Sequence, residues 1–270
     1  MLVFFVILLI TKTVYVFEVP MNILSSRIVG GSAVKKPVAY QVSLQYKRRA
    51  FFEWTTLSFQ NWDHFCGGSI IAENFILTAA HCLAGFGDDF SKISVLAGTT
   101  KRSSGGTRHY IDKTKSHEKF LNLVSNDIAV IKLKTPIRLD NKTRGAIEIE
   151  GDQDIDGEIP VILTGWGFST PIRIGVLPQT LQVLNYTTIS NQKCKEEGFN
   201  VSEREVCASK GFLKGACAGD SGGPLVTADR SQQIGVVSYG TRLCAIGLPD
   251  AFTRVSKFVD WIKSAIASLQ

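Results

Sequence analysis

From Ile28 onward the chain advances in short apolar runs, each cut off by glycine, proline or a polar pair, which leaves room for strands and for few helices. Residues 38–45 alternate apolar and polar side chains. Residues 67–72 and 75–80 read as paired strands that turn at Glu73 and Asn74, and residues 92–97, 128–133, 160–167 and 233–239 continue the pattern. Many short strands with such breaks imply an all-β chain built as barrels or a sandwich. One helix stands out near the C-terminus, where Phe258, Ile262, Ala265, Ile266 and Leu269 share a face and would pack on the outside of the core. No internal repeat or low-complexity tract interrupts the chain.

Composition narrows the class. A chain of 270 residues with 44% hydrophobic and 20% charged residues can bury a core, which excludes disorder. The formal charge of +6 comes from scattered basic residues, apart from Lys47-Arg48-Arg49 and Lys101-Arg102. No nucleic-acid motif accompanies them, so they read as a solvated basic surface. Six cysteines, at 66, 82, 194, 207, 217 and 244, suit disulfides in an exported protein. Zinc is the rival reading, but no Cys-x-x-Cys or paired Cys/His cluster favours it. Spacing alone does not choose among the possible pairings. The apolar run over residues 1–10 is short for a membrane span and suits a signal peptide, placed over 1–17 with an uncertain end. It lacks a basic start and an obvious small-residue cleavage site, so a retained anchor stays open.

The candidate chemistry centres on Gly215-Ala216-Cys217-Ala218-Gly219-Asp220-Ser221-Gly222-Gly223-Pro224. A serine hydroxyl is a poor nucleophile without a base and without donors aimed at the oxyanion it creates. Glycines at 219, 222 and 223 let the backbone turn sharply and approach a ligand. A plain glycine-rich turn is the alternative for this stretch alone. Thr78-Ala79-Ala80-His81-Cys82 supplies a histidine after an apolar strand, and Asn126-Asp127-Ile128-Ala129 an aspartate at the start of another. Upstream, Arg27 precedes Ile28-Val29-Gly30-Gly31. Cleavage there would place a new ammonium on Ile28, and a buried ammonium needs a carboxylate, for which Asp220 is the obvious partner.

The order His81, Asp127, Ser221 is one of the known triad orders. Together with Ile28-Val29-Gly30-Gly31 and Gly165-Trp166-Gly167, these motifs make residues 28–270 resemble the trypsin/chymotrypsin family of serine proteases. The resemblance implies two six-stranded antiparallel β-barrels with a C-terminal α-helix and a cleft between the barrels. It implies a catalytic triad of His81, Asp127 and Ser221, with the N–H groups of Gly219 and Ser221 as the oxyanion hole. It pairs Cys66 with Cys82, Cys194 with Cys207, and Cys217 with Cys244. It makes 18–27 an activation propeptide cut after Arg27 by a trypsin-like protease, with Ile28 and Asp220 forming the switch. No cofactor and no metal are expected. The loop over 98–112 lacks the glutamate pair that binds calcium in trypsins. A secreted, extracellular monomer is expected, acting on proteins or peptides and met by protein protease inhibitors.

The specificity pocket departs from the trypsin pattern. Gly215 stands where trypsins carry the aspartate at the pocket base, Asp250 lies on the wall where glycine is common, and Ser238 and Gly240 leave the entrance open. This pattern is similar to that of crustacean and insect chymotrypsin-like and collagenolytic proteases. Those proteases accept several kinds of side chain before the scissile bond, so a chymotrypsin-like or broad preference is expected: an open pocket rewards aromatic residues and leucine by apolar burial, and basic ones are tolerated if Asp250 faces the ligand. Asp250 bonded away from the ligand would merely narrow the pocket. The stretch over 46–64, with Phe51, Phe52, Trp54, Phe59 and Trp62, is longer than in most relatives and reads as a loop beside the leaving-group side. Asn141, Asn185 and Asn200 open glycosylation sequons. Two other functions compete: an inactive family member used as a binding protein, disfavoured because all triad residues are present, and a lipase or esterase using Gly-x-Ser-x-Gly, disfavoured because His81 precedes Ser221.

Overall fold

The computed structural model describes residues 5–10, 13–18, 28–50, 59–87, 89–121, 125–151, 155–173 and 175–270. Strands β1 (Phe5–Ile10) and β2 (Thr13–Glu18) pair as an antiparallel hairpin. Arg27 and the bulky residues Phe51, Phe52 and Trp54 lie outside the described residues. No helix among those described is long and apolar enough to cross a membrane.

Strand β3 (Ser32–Ala33) is a short edge piece. The first barrel is built from β4 (Gln41–Ala50), β5 (Phe59–Ala72), β6 (Phe75–Thr78), β7 (Ile93–Ala97), β8 (Thr107–Ser116) and β9 (Ala129–Leu133). It closes in the order β4-β5-β6-β9-β8-β7. Its buried residues include Val42, Leu44, Ile70, Ile76, Leu77, Ile93, Val95 and Ile131, all at 0% exposure, which is why these runs read as strands. The turn at Glu73 and Asn74 joins β5 to β6 as the sequence suggests.

The second barrel comprises β10 (Pro160–Gly165), β11 (Gln182–Ile189), β12 (Glu205–Ser209), β13 (Pro224–Thr227), β14 (Gln233–Tyr239) and β15 (Asp250–Arg254). They run in the order β10-β13-β14-β15-β12-β11; pairing of β10 with β11 closes the ring, and β3 adds to β11. Leu163, Tyr186, Val206, Leu225 and Phe252 fill it, and Ile28 joins them. A six-residue helix, α1 (Asn191–Glu196), is capped by the Ser190 side chain, which accepts from the Lys193 N–H. Helix α2 (Val259–Leu269) lays Ile262, Ala265 and Leu269 on the first barrel, as its periodicity implies. Ile266 is only partly buried at the edge of that face.

All six cysteines are paired: Cys66 with Cys82, Cys194 with Cys207, and Cys217 with Cys244. The sulfurs of Cys66 and Cys82 beside His81 are therefore not thiolates available to zinc. Two segments differ from the reading of the sequence. Much of 46–64 is not loop: β4 and β5 stay paired from Tyr46↔Asp63 out to Ala50↔Phe59, extending the barrel as a long hairpin. Of 98–112, the part from Thr107 belongs to β8, whose mixed sequence Thr-Arg-His-Tyr-Ile-Asp hides only His109 and Ile111.

Candidate active site

His81 and Asp127 are both brought to one end of the first barrel by strand ends. Strand β6 stops at Thr78 and passes into a 3-10 turn over Ala80–Cys82. Buried Ala79 and Ala80 and the Cys66–Cys82 bond pin that turn, leaving the His81 side chain 19% exposed. Asn126 adopts a left-handed backbone (φ 53°) just before β9. Its side chain donates to the Lys119 carbonyl at 3.0 Å and accepts from Arg204 at 3.2 Å, which holds the unusual turn and aims Asp127 inward.

Asp127 grips His81 at two points. Its Oδ2 accepts from the ring Nδ1 at 2.7 Å, and its Oδ1 accepts from the His81 backbone N–H at 2.9 Å. With Nδ1 committed as the donor, the lone pair of the neutral ring sits on Nε2. The Ser238 hydroxyl also donates to Oδ2, at 2.6 Å, and Thr253 donates to the Asp127 carbonyl at 2.8 Å. The carboxylate is 1% exposed, so these donors replace the water it has lost.

Ser221 comes from the second barrel, in the turn before β13. Its carbonyl accepts from the Gly67 N–H at 2.7 Å, which stitches the turn to the first barrel. Gly222 has φ +75°, and a Cβ there would lie 2.2 Å from Thr78 Oγ1, so only glycine lets the serine turn close on the end of β6. Among the described residues no hydrogen bond joins Ser221 to His81; Nε2 of the ring has a 3.8 Å contact with Cys82 Sγ. Such hydrogen bonds are often loose until substrate binds. The N–H groups of Asp220, Gly222 and Gly223 donate within the protein, whereas those of Gly219 and Ser221 do not among the described residues. Gly219 itself has φ +99°.

Three polar residues support this centre through contacts that the sequence alone does not flag. His64 on β5 bridges Ser43 (Nδ1, 2.8 Å) and the Gly219 carbonyl (Nε2, 2.8 Å). Burial pushes its pKa down to about 4, so the ring is neutral and donates Nε2–H to Gly219. The second is Ser238, named from the sequence as a pocket residue, whose hydroxyl donates to Asp127. The third is Tyr186, whose hydroxyl reaches Asp250. These partners lie 21 to 155 residues away in the chain, so no local motif announces them.

The residues that the sequence assigns to the switch and the pocket have their own partners. Asp220 is fully buried; its Oδ1 accepts from Gly167 N–H at 2.8 Å and its Oδ2 from Cys217 N–H at 3.0 Å. Burial raises its pKa to about 7, against the pull of those two donors. Ile28 is fully buried, and Val29 forms a β-bridge with Gly215. Gly215 is closely packed, since a Cβ there would lie 3.0 Å from Ala245. Asp250 is 8% exposed, with Oδ2 bound by Tyr186 at 2.6 Å and by Ala216 N–H at 2.9 Å. Gly240 is exposed, and a Cβ on it would sit 2.6 Å from Asp250 Oδ1.

Two antiparallel barrels, with a histidine–aspartate pair on one and a glycine-cradled serine on the other, define the class of two-barrel serine hydrolases. Residues 28–262 match the family model described as Trypsin. Curated relatives include mouse Chymotrypsin-C, 38% identical over 257 residues and 90% of each chain. Trypsin of Sarcophaga bullata is 35% identical over 92% of each chain, and Chymotrypsin-2 of Vespa crabro is 34% identical over 87% of this chain and 98% of its own. The chain belongs to the trypsin family of serine endopeptidases, hydrolases of peptide bonds.

Proposed function

We propose that this chain is a secreted endopeptidase, made as a precursor, which cleaves through His81, Asp127 and Ser221. The observation that carries the reading is the two-point grip of Asp127 on His81, which leaves the Nε2 lone pair to act as a base; the N–H groups of Gly219 and Ser221, unpaired among the described residues, support it as donors to an oxyanion. Ser221 Oγ attacks the peptide carbonyl while Nε2 takes its proton. The N–H groups of Gly219 and Ser221 receive the oxyanion, each donor worth about 3–4 kcal/mol in the transition state. His81 returns the proton to the leaving amine, and water enters by the same steps in reverse to free the acid from Ser221. Asp127 holds the ring's tautomer and stabilises the imidazolium.

Cleavage after Arg27 frees the Ile28 amine, and the ammonium pairs with Asp220 next to the nucleophile. Two features support this: Ile28 already lies in the second core, and Asp220 is a buried carboxylate with no cation among its described hydrogen-bond partners. The signal peptide over 1–17 and the propeptide over 18–27 complete the precursor. Secretion agrees with six cysteines all held in disulfides and with sequon asparagines 141, 185 and 200 that are all exposed. The activating trypsin-like protease, protein inhibitors and a monomeric state belong to the same reading.

The pocket bounded by Gly215, Ser238, Gly240 and Asp250 admits large apolar side chains, each worth roughly 1.5–3 kcal/mol on burial. Basic side chains are tolerated through Asp250. The test is a substrate profile of protein cut at Arg27, with Ser221→Ala as control. Cleavage after Phe, Tyr and Leu, absent from the variant, is the expected result. Cleavage confined to alanine or valine would refute the pocket, and no cleavage despite a free Ile28 would make the chain a binding protein.

A further inference from the structure

The charge in the pocket does not stand alone. Tyr186 projects from β11 beneath the pocket, 1% exposed, with its ring edge-on to Phe252 at 6.3 Å. Its hydroxyl donates to Asp250 Oδ2 at 2.6 Å, and the phenol oxygen in turn accepts from Ala216 N–H at 2.6 Å. That N–H is shared, since it also reaches Asp250 Oδ2 at 2.9 Å. Phenol, carboxylate and backbone amide thus form a closed triangle under the pocket floor. One carboxylate oxygen is fully engaged in it. The other, Oδ1, faces Gly240, where any side chain would collide with it at 2.6 Å. Gly215, beside Ala216, has Ala245 3.0 Å from where its Cβ would be, so the base has little room for an acidic side chain of its own.

We propose that Tyr186 is a positioning residue for substrate specificity, anchoring one oxygen of Asp250 beneath the pocket so that the other is presented beside Gly240 to a basic side chain of the substrate. The inference rests on the reading of Asp250 as part of the substrate pocket. A carboxylate at the start of β15 has other rotamers, and without the phenol its inward oxygen would keep only the Ala216 amide as donor. The groups facing Asp250 are few. Tyr186 faces it from β11 and buried Asp220 from the Ser221 turn; β12 places Ala208 opposite it, and Tyr239 on β14 turns its hydroxyl to the Asn200 carbonyl at 3.3 Å. None of these is a cation. Burial raises the Asp250 pKa to about 6, while the hydrogen bonds from Tyr186 and Ala216 hold it down. Asp250 is therefore charged above about pH 6 and neutral below it. Losing the phenol moves that boundary upward.

The experiment uses the full chain cut at Arg27 and compares kcat/KM for matched peptides with Arg or Phe before the scissile bond, from pH 5 to 8. The Arg/Phe ratio cancels any pH dependence and any loss of activity common to the two peptides. In the unaltered enzyme the ratio should rise with pH through about 6. In Tyr186→Phe it should fall about tenfold at pH 7, the scale of one hydrogen bond to a charged group, with its midpoint moved up. A Tyr186→Phe ratio that superimposes on the unaltered enzyme, while Asp250→Asn lowers and flattens it, would overturn the role of Tyr186 alone. A ratio that Asp250→Asn leaves unchanged would instead remove Asp250 from the pocket. Should Tyr186→Phe fail to accumulate, 3-fluorotyrosine placed at 186 makes a stronger donor. Its midpoint should fall, and an unmoved midpoint would overturn the proposal.

Discussion

Asp127 accepts from the His81 ring, the His81 backbone and the Ser238 hydroxyl, and each donor has a separable effect. Asp127→Asn keeps the shape but favours the wrong tautomer, so kcat should fall about 10⁴-fold. Ser238→Ala removes one donor from a buried anion, and kcat/KM should fall about tenfold. Steady-state kinetics on both variants checks the order; equal losses would contradict it. His64 makes a pH prediction. Its pKa is near 4 in the fold and 6.5 when unfolded, so the unfolded chain binds the extra proton first. Stability from this residue is complete above pH 6.5 and is lost as pH falls towards 4, by on the order of 3 kcal/mol. Asp220 and Asp250 act in the opposite sense, because their raised pKa values favour the fold as pH drops below about 7 and 6. Denaturant melts of the enzyme and His64→Asn should therefore differ in slope between pH 6.5 and 4, the variant losing less. Parallel slopes would sink this assignment.

Among the elements, legibility tracks how far each one's burial shows in its own residues. Strand β14 and the turn between β5 and β6 carry uninterrupted or cleanly bounded apolar runs and are read from sequence at the right places. Strand β15, Asp-Ala-Phe-Thr-Arg, is buried at every position, yet its ends are charged because Asp250 is satisfied by Tyr186 and Arg254 by the Glu205 and Ile155 carbonyls. Periodicity has no view of such distant partners. Helix α1 is too short to show a period. The triad candidates and the disulfide pairing were legible because residue types and order match a known family. The partners of those residues were not, since Ser238, His64 and Tyr186 act across folded distances. The Cys66–Cys82 tie fastens the His81 turn to β5, so replacing both cysteines by alanine should cost about 2–4 kcal/mol of stability. It should also lower kcat at temperatures where the fold persists, which thermal melts paired with kinetics would reveal. Full kcat in the folded variant would show that the turn holds His81 unaided.

At the scale of the whole molecule, the centre exists only where the two barrels meet. A polar seam fixes that meeting: Thr164 donates to Gln41 at 2.6 Å, Ser69 to Gln233 at 2.6 Å, Gly67 N–H to the Ser221 carbonyl, and His64 to the Gly219 carbonyl. Each bond is buried or partly buried and directional, so the barrels have little freedom to slide without orphaning polar groups. The seam thus ties the strand ends that carry His81 to the turn that carries Ser221, and under the proposed activation step a free Ile28 amine would complete that turn through Asp220. The most direct measurement is covalent labelling by a fluorophosphonate, read by mass spectrometry, on the intact chain, the chain cut after Arg27, and the cut His81→Ala variant. A single adduct on Ser221, fast only in the cut chain and lost in the variant, is the expected result. Equal labelling of the uncut chain would contradict the activation step, and no adduct on Ser221 in the cut chain would contradict the catalytic assignment.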